Sequence, residues 1–276
     1  MQPVVLSIAG FDPSSGAGVT ADIKTSAAHG CFAITCVTAL TVQNTLGVRR
    51  VEPVLGEVVA ETLYELAQDF PISAVRIGML GTGEVAEAVA GFLETTKLPN
   101  IVLDPIIRSS SGADLLDRRG LEALKKRILP LAEVVTPNLA EAAALTGMEV
   151  ENLEQMKMAG HKILALGAQN VVITGGHLAG NRALDLLLWH ADGEVFEEEL
   201  AATRIESNST HGTGCAFATS IACHLARGFR LPDAVAGAKN FVRAAIENAT
   251  PLGQGKGPME LLWPLQAQMA GDKGQR

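Results

Sequence analysis

Thr210-His211-Gly212-Thr213-Gly214-Cys215 runs directly into an apolar-faced stretch that reads as helix from Gly214 to Arg227. A helix start carries unpaired N–H groups and the positive end of the helix dipole, so the amides of Gly212 to Cys215 could converge on an anion. The glycines permit close approach. Cys215 has two readings there. Either the helix end lowers its pKa, so that it takes a proton or acts as a nucleophile near neutral pH, or it is a buried small hydrophobe. Cys223, deeper in the same helix, reads as core.

A second loop, Gly10 to Gly18, opens off the β-rich run Val4 to Gly10, where open α/β sheets place ligands. It is not a Walker loop, because no Gly-x-x-x-x-Gly-Lys-Ser/Thr is present. Gly16-Ala17-Gly18-Val19-Thr20-Ala21 fits the loose dinucleotide fingerprint, but it begins several residues past the strand and lacks a convincing ribose-binding acid. Asp22 is a ligand candidate or simply an acid favouring its helix start. Thr174-Gly175-Gly176-His177 ends another strand, as a phosphate-contacting edge or as a tight turn. Asp104-Pro105 and Thr136-Pro137-Asn138 also end strands, and Glu141 follows Asn138 by one helical turn. Asp104 and Glu141 together are candidates to hold Mg²⁺, while each alone is as well read as an N-cap or a surface acid. His161, His190 and His224 lack partners in the pattern and read as structural.

The elements that position these loops alternate. Strands are predicted at about 4–10, 31–38, 74–80, 100–107, 133–137 and 170–174. Helices are predicted at about 19–29, 57–69, 84–96, 118–129, 139–146, 153–166, 214–227 and 232–248. Such alternation means right-handed βαβ units and a mainly parallel sheet covered on both faces. Two stretches break it. Arg49 to Leu55 reads as a short strand forming a small flap over the sheet edge, and Arg182 to His190 with Glu194 to Glu199 reads as an antiparallel hairpin. No linker or repeat divides the chain, so residues 1–264 are read as one domain with a tail over 265–276.

Composition narrows the function class. The 276 residues are 47% hydrophobic and 19% charged, which excludes a disordered chain. With 22 Lys+Arg against 30 Asp+Glu the net charge is −8, so no global positive field recruits nucleic acid or anionic lipid. No apolar run reaches membrane-spanning length and the first residues lack a signal-peptide pattern, so a cytoplasmic protein is expected. Cys31, Cys36, Cys215 and Cys223 form neither a metal-ligand array nor a disulfide framework.

In their order, these segments resemble the hydroxymethylpyrimidine/phosphomethylpyrimidine kinases of thiamine biosynthesis, in the ribokinase-like superfamily. The resemblance covers nearly the whole chain. It rests on Ser7 to Gly18 with Ala21-Asp22-Ile23-Lys24-Thr25, then Val42-Gln43-Asn44-Thr45, Ile77-Gly78-Met79-Leu80, Leu103-Asp104-Pro105, Thr136 to Ala142, Gly175-Gly176-His177 and Thr210 to Cys215. It implies a ribokinase-like, doubly wound α/β fold with a small flap. It also implies ATP-dependent phosphorylation of 4-amino-5-hydroxymethyl-2-methylpyrimidine and then of its monophosphate, and a homodimer.

By the same resemblance, Gly10, Asp22, Gln43, Met79 and Ile106 line the pyrimidine site, with Cys215 beside them. Asn138, Thr174, Gly175, Gly176 and His211 face the nucleotide, and Asp104 and Glu141 face Mg²⁺. Gly212, Thr213, Gly214 and Cys215 surround the transferring group, with Cys215 or a water it orders taking the hydroxymethyl proton. Gln43 suits an aminopyrimidine edge, since its amide both donates and accepts. The chain departs from the family pattern at Thr174 and Ser110, where lysines are usual. It also departs at Gln254 and Lys256, where histidines are usual, and at Ser15, where glycine is usual. Arg108 is a nearby cation able to grip phosphate. The alternatives are a pyridoxal or pyridoxine kinase and, given the missing lysines, a pyrimidine-binding protein with little catalysis.

Overall fold

The computed structural model describes residues 1–109, 112–176, 178 and 180–266; Ser110, His177 and the tail from 267 onward lie outside the described residues. Strands β1 (Val4–Phe11), β2 (Phe32–Asn44), β3 (Gly47–Pro53), β4 (Ile72–Ile77), β5 (Ile101–Leu103), β6 (Val134–Val135), β7 (Val171–Gly175), β8 (Arg182–Ala191) and β9 (Glu194–Thr203) form one sheet. Its order is β3-β2-β1-β4-β5-β6-β7-β8-β9. The six strands β2-β1-β4-β5-β6-β7 are parallel, while β3 at one edge and β8 and β9 at the other are antiparallel.

Strand alternation divides the apolar residues between two cores. Leu6, Ile8, Val75 and Ile77 point into the larger core, whereas Val5 and Ala74 point to the opposite face. The larger core is covered by α2 (Gly56–Asp69), α3 (Gly83–Thr96), α4 (Arg118–Ala123), α5 (Leu139–Thr146) and α6 (Leu153–Ala165). The other face carries α1 (Gly18–Ala28), α7 (Thr213–Ala226) and α8 (Leu231–Glu247). β1 lies between β2 and β4, so the chain reverses its winding there and leaves a crevice beyond the strands' carboxyl ends. No helix among the described residues is long and apolar enough to cross a membrane.

Boundaries shift where local chemistry intervenes. The strand expected to reach Ile107 leaves the sheet at Asp104, because Pro105 has no N–H for the ladder. β2 runs on to Asn44 and pairs with β3, so the flap is an antiparallel extension of the sheet edge that carries Gln43 toward the crevice. The helix expected over 118–129 continues past Ala123 as a π-turn at Leu124–Ile128 and a 3₁₀ turn at Leu129–Leu131, the latter containing Pro130.

Candidate active site

Two glycine loops touch backbone to backbone at the floor of the crevice. Gly212 caps α7 with φ +82°, and a Cβ there would overlap the Gly16 carbonyl. Gly18 starts α1 with φ +58° and faces the Gly10 carbonyl in the same way. Only glycine fits both the backbone angle and the approach. Ser15, at φ +64°, accepts the left-handed region without being glycine.

Above this floor lies a cleft of about 1450 Å³. That exceeds the roughly 300–1,000 Å³ of a site for one small ligand, leaving room for a nucleotide beside a small ring. Gly10, Gln43, Met79 and Ile106 line it, as do Gly212, Thr213, Gly214 and Cys215 with His211. Asp104, Asn138, Glu141, Thr174 and Gly176 line it too. Met79 and Ile106 belong to an apolar wall with Ala39, Val48, Val51 and Leu115. The fold therefore brings most of the candidate residues to one place.

Two candidates lie outside the lining. Asp22 is fully buried beneath the cleft. Its Oδ2 accepts from Ser7 at 2.5 Å and from Arg76 at 3.1 Å, and its Oδ1 accepts from Thr219 at 2.7 Å. Gly175 donates its N–H to Asp185 Oδ1 at 3.1 Å. Asp185 in turn pairs with Lys239 at 2.6 Å, so that amide is already engaged within the protein. The Gly176 carbonyl accepts from Arg204, which also donates to Leu178 and Gly180 and so staples the turn.

Arg76 went unremarked in the sequence, yet it organises the site. It is fully buried in β4, with one guanidinium nitrogen on Asp22 and another 2.6 Å from Asp104. Cys215 also lies within reach of its charge. A lone charge in the β-rich strand Ile72–Ile77 was the available signal, since a buried charge requires partners. The two carboxylates hold the guanidinium firmly protonated against the effect of burial.

Electrostatics revise the expectation for Cys215. Burial pushes its thiol up to about 11, and Arg76 only partly offsets this, so the thiol form dominates at neutral pH. Desolvation of the buried sulfur outweighs the lowering that one reading expects from the helix N-terminus. Burial lifts Asp104 to about 6 despite Arg76, and burial with the charge of Asp104 lifts Glu141 to about 8. Glu141 is neither a surface acid nor an N-cap. It is the third-residue acid of a capping box in which Asn138 caps α5, and its Oε2 accepts from the Asn138 N–H at 2.9 Å. Asn138 Oδ1 is correspondingly engaged with the Glu141 N–H at 3.0 Å.

Several cations approach the cleft. Arg108 lines it while paired with Asp114 at 2.8 Å, and Lys256, Lys239 and Arg243 also line it. Asp12, not singled out in the sequence, ties the first loop to the second. Its Oδ2 accepts from the Ala17 N–H at 2.9 Å and lies 2.8 Å from His211 Nε2.

The family model described as phosphomethylpyrimidine kinase matches residues 12–260. The chain is 44% identical to the hydroxymethylpyrimidine/phosphomethylpyrimidine kinase of Aquifex aeolicus, over 91% of this chain and 97% of that one. Among solved structures, phosphomethylpyrimidine kinase from Clostridium difficile superposes with a TM-score of 0.76 at 34% identity, covering 89% of this chain and 100% of that one. An ADP complex of Bacillus subtilis pyridoxal kinase gives 0.86 at 34% identity, covering 97% and 100%. The fold thus agrees with the sequence match, and the chain belongs to the phosphomethylpyrimidine kinase family.

Proposed function

We infer that the protein transfers the terminal phosphoryl group of ATP to the hydroxymethyl oxygen of 4-amino-5-hydroxymethyl-2-methylpyrimidine, and then phosphorylates the resulting monophosphate to the diphosphate used for thiamine. The observation that carries this reading is the convergence of the Gly212–Cys215 helix start with the Gln43–Met79–Ile106 wall in one cleft. Phosphoryl transfer is catalysed chiefly by positioning and charge stabilisation, which backbone amides at a helix start supply.

Asp104 and Glu141 suit a divalent cation, because both carboxyl groups line one cleft and a cation would relieve the charge repulsion by which Asp104 helps to hold Glu141 up at about 8. Among the described residues no group of three or more His, Cys, Asp or Glu side chains is placed to hold a metal. A Mg²⁺ here would therefore take its other ligands from phosphate and water, as it commonly does. When bound, it neutralises phosphate charge. Only the minor thiolate form of Cys215, directly or through a water it orders, can take the hydroxymethyl proton as the oxygen attacks, and Arg76 favours that form by stabilising negative charge at the sulfur.

Pyridoxal phosphorylation is the second reading, favoured by the high TM-score with pyridoxal kinase. ADP release measured with each ring separately tests both. Turnover with the pyrimidine supports the first reading, and turnover confined to pyridoxal replaces it with the second. We also read the chain as a homodimer, since Phe11 at the end of β1 and Leu40 and Val42 in the outer half of β2 leave apolar side chains exposed. A cytoplasmic setting fits its four free, buried cysteines.

A further inference from the structure

Gln43, His211, Asp12 and Thr41 form a hydrogen-bond chain whose donors and acceptors can be counted. His211 Nε2 lies 2.8 Å from Asp12 Oδ2 and 3.0 Å from the Nε2 position of Gln43. At the other end of that amide, Thr41 Oγ1 lies 3.2 Å from the Gln43 Oε1 position and 3.0 Å from the Phe11 carbonyl oxygen. A carboxylate only accepts, so the imidazole must present Nε2–H to Asp12. Asp12 is ionised: burial pushes its carboxyl up, but hydrogen bonds from His211 and Ser14 outweigh this and hold it low.

With the amide nitrogen toward His211, two donors face each other, and the single Thr41 proton must serve two acceptors. Turning the amide by half a revolution removes both conflicts, since its nitrogen and oxygen are nearly the same size. Oε1 then shares the His211 proton. Nε2 donates to Thr41, whose own proton goes to Phe11.

From this count we propose that His211, held by Asp12, is a positioning residue that locks the Gln43 amide oxygen toward the Gly212 loop and thereby selects an amino group over a carbonyl beside the reacting hydroxymethyl. His211 immediately precedes Gly212, so the oxygen end of Gln43 is the end nearest the anion cradle. In the aminopyrimidine, the 4-amino group neighbours the carbon bearing the hydroxymethyl, and the adjacent ring nitrogen accepts. The locked amide matches that edge: Oε1 accepts from the amino group while Nε2–H faces the ring nitrogen. The hydroxymethyl is thereby aimed at the cradle. Pyridoxal carries an aldehyde oxygen beside its hydroxymethyl, so two acceptors would face each other in the same pose. Such mismatched hydrogen bonding discriminates far better than size does.

The inference rests on the pyrimidine-kinase reading for its substrate and on the residue geometry alone for the relay, and the two parts are tested separately. The full chain, with His211→Leu and His211→Gln, is assayed for kcat and KM on the hydroxymethylpyrimidine and on pyridoxal. His211→Leu is expected to raise the pyrimidine KM and to lower the pyrimidine-to-pyridoxal ratio of kcat/KM by about tenfold, the worth of one misdirected hydrogen bond. His211→Gln, which can still donate to Asp12 and Gln43, is expected to restore much of that ratio. An unchanged ratio in a folded His211→Leu chain overturns the proposal. Nitrogen-15 NMR of the labelled wild type provides the second readout, independent of turnover and of variant folding. A proton on His211 Nε2 is expected, and a neutral ring protonated only at Nδ1 overturns the relay. If the wild type phosphorylates no pyrimidine, the substrate reading and the selection of the amino group both fail, while the NMR result still decides the relay.

Discussion

Arg76→Met leaves Asp22 and Asp104 enclosed without the guanidinium that now contacts them at 3.1 and 2.6 Å. Methionine roughly fills the stem's volume, so most of the loss reports charge rather than a cavity. Removing one partner from a buried ion pair costs about 3–5 kcal/mol. For a chain of this size each kcal/mol moves the melting temperature by about 2–4 °C, so a fall of about 6–20 °C is expected near neutral pH. The sign of the pH dependence is equally specific. Burial already raises Asp104 to about 6 with Arg76 in place, and without Arg76 both carboxyls shift further upward. A raised carboxyl contributes stability that is fully present below its free-chain value and lost as pH rises through its folded value. The deficit should therefore be small near pH 4 and grow toward pH 8. Urea unfolding between pH 4 and pH 8 of wild type, Arg76→Met and the triple variant that adds Asp22→Asn and Asp104→Asn measures the loss and its pH dependence, thermal melts measure the fall in melting temperature, and the triple variant should recover most of the loss. A deficit below about 1 kcal/mol at pH 7.5, or one that does not vary with pH, refutes the assignment of Arg76 as the countercharge of this site.

Gly212→Ala must shift the loop, because its Cβ would overlap the Gly16 carbonyl at φ +82°; a stability loss of about 1–3 kcal/mol with a larger fall in kcat is expected from unfolding and kinetic assays. Cys215→Ala should lower kcat by about 10²-fold or more if the thiolate or its ordered water takes the proton, with the nucleotide Kd near wild type by calorimetry; unchanged turnover removes Cys215 from the proton path. His29, held by burial at about 4 although it contacts the Thr25 carbonyl, binds its proton more weakly than in the unfolded chain. Its contribution is present above about pH 6.5 and lost as pH falls through about 4, so up to about 3 kcal/mol of stability should disappear over that interval, and His29→Gln should flatten the profile.

The fold was legible where a short-range signal carried it. Val4 to Gly10 announces a buried parallel strand through its unbroken apolar run, and the glycine loop after it announces the ligand end. The helix after Gly212 is equally plain, because the loop glycines and the apolar face of 214–227 are contiguous. What stayed hidden depends on partners far apart in sequence. Asp22 reads as a ligand until Thr219, 197 residues away, and Arg76 are seen to occupy its oxygens. Asp12 acquires its role through His211, 199 residues distant. Gly175 resembles a phosphate contact, yet its amide is already held by Asp185 on the neighbouring strand. Cys215 shows a limit of another kind: sequence places it at a helix start, but the burial that sets its pKa exists only once the fold brings Gly18, Asp22, Arg76 and Asp104 around it.

The central claim is that the cleft aims a pyrimidine hydroxymethyl group at the Gly212–Cys215 amides for phosphoryl transfer from ATP. Phosphorus NMR of the purified protein with Mg·ATP and 4-amino-5-hydroxymethyl-2-methylpyrimidine tests it most directly. The expected result is a phosphomonoester signal followed by the paired signals of a diphosphate ester, with ADP rising in step. ATP left intact beside unmodified pyrimidine would contradict it.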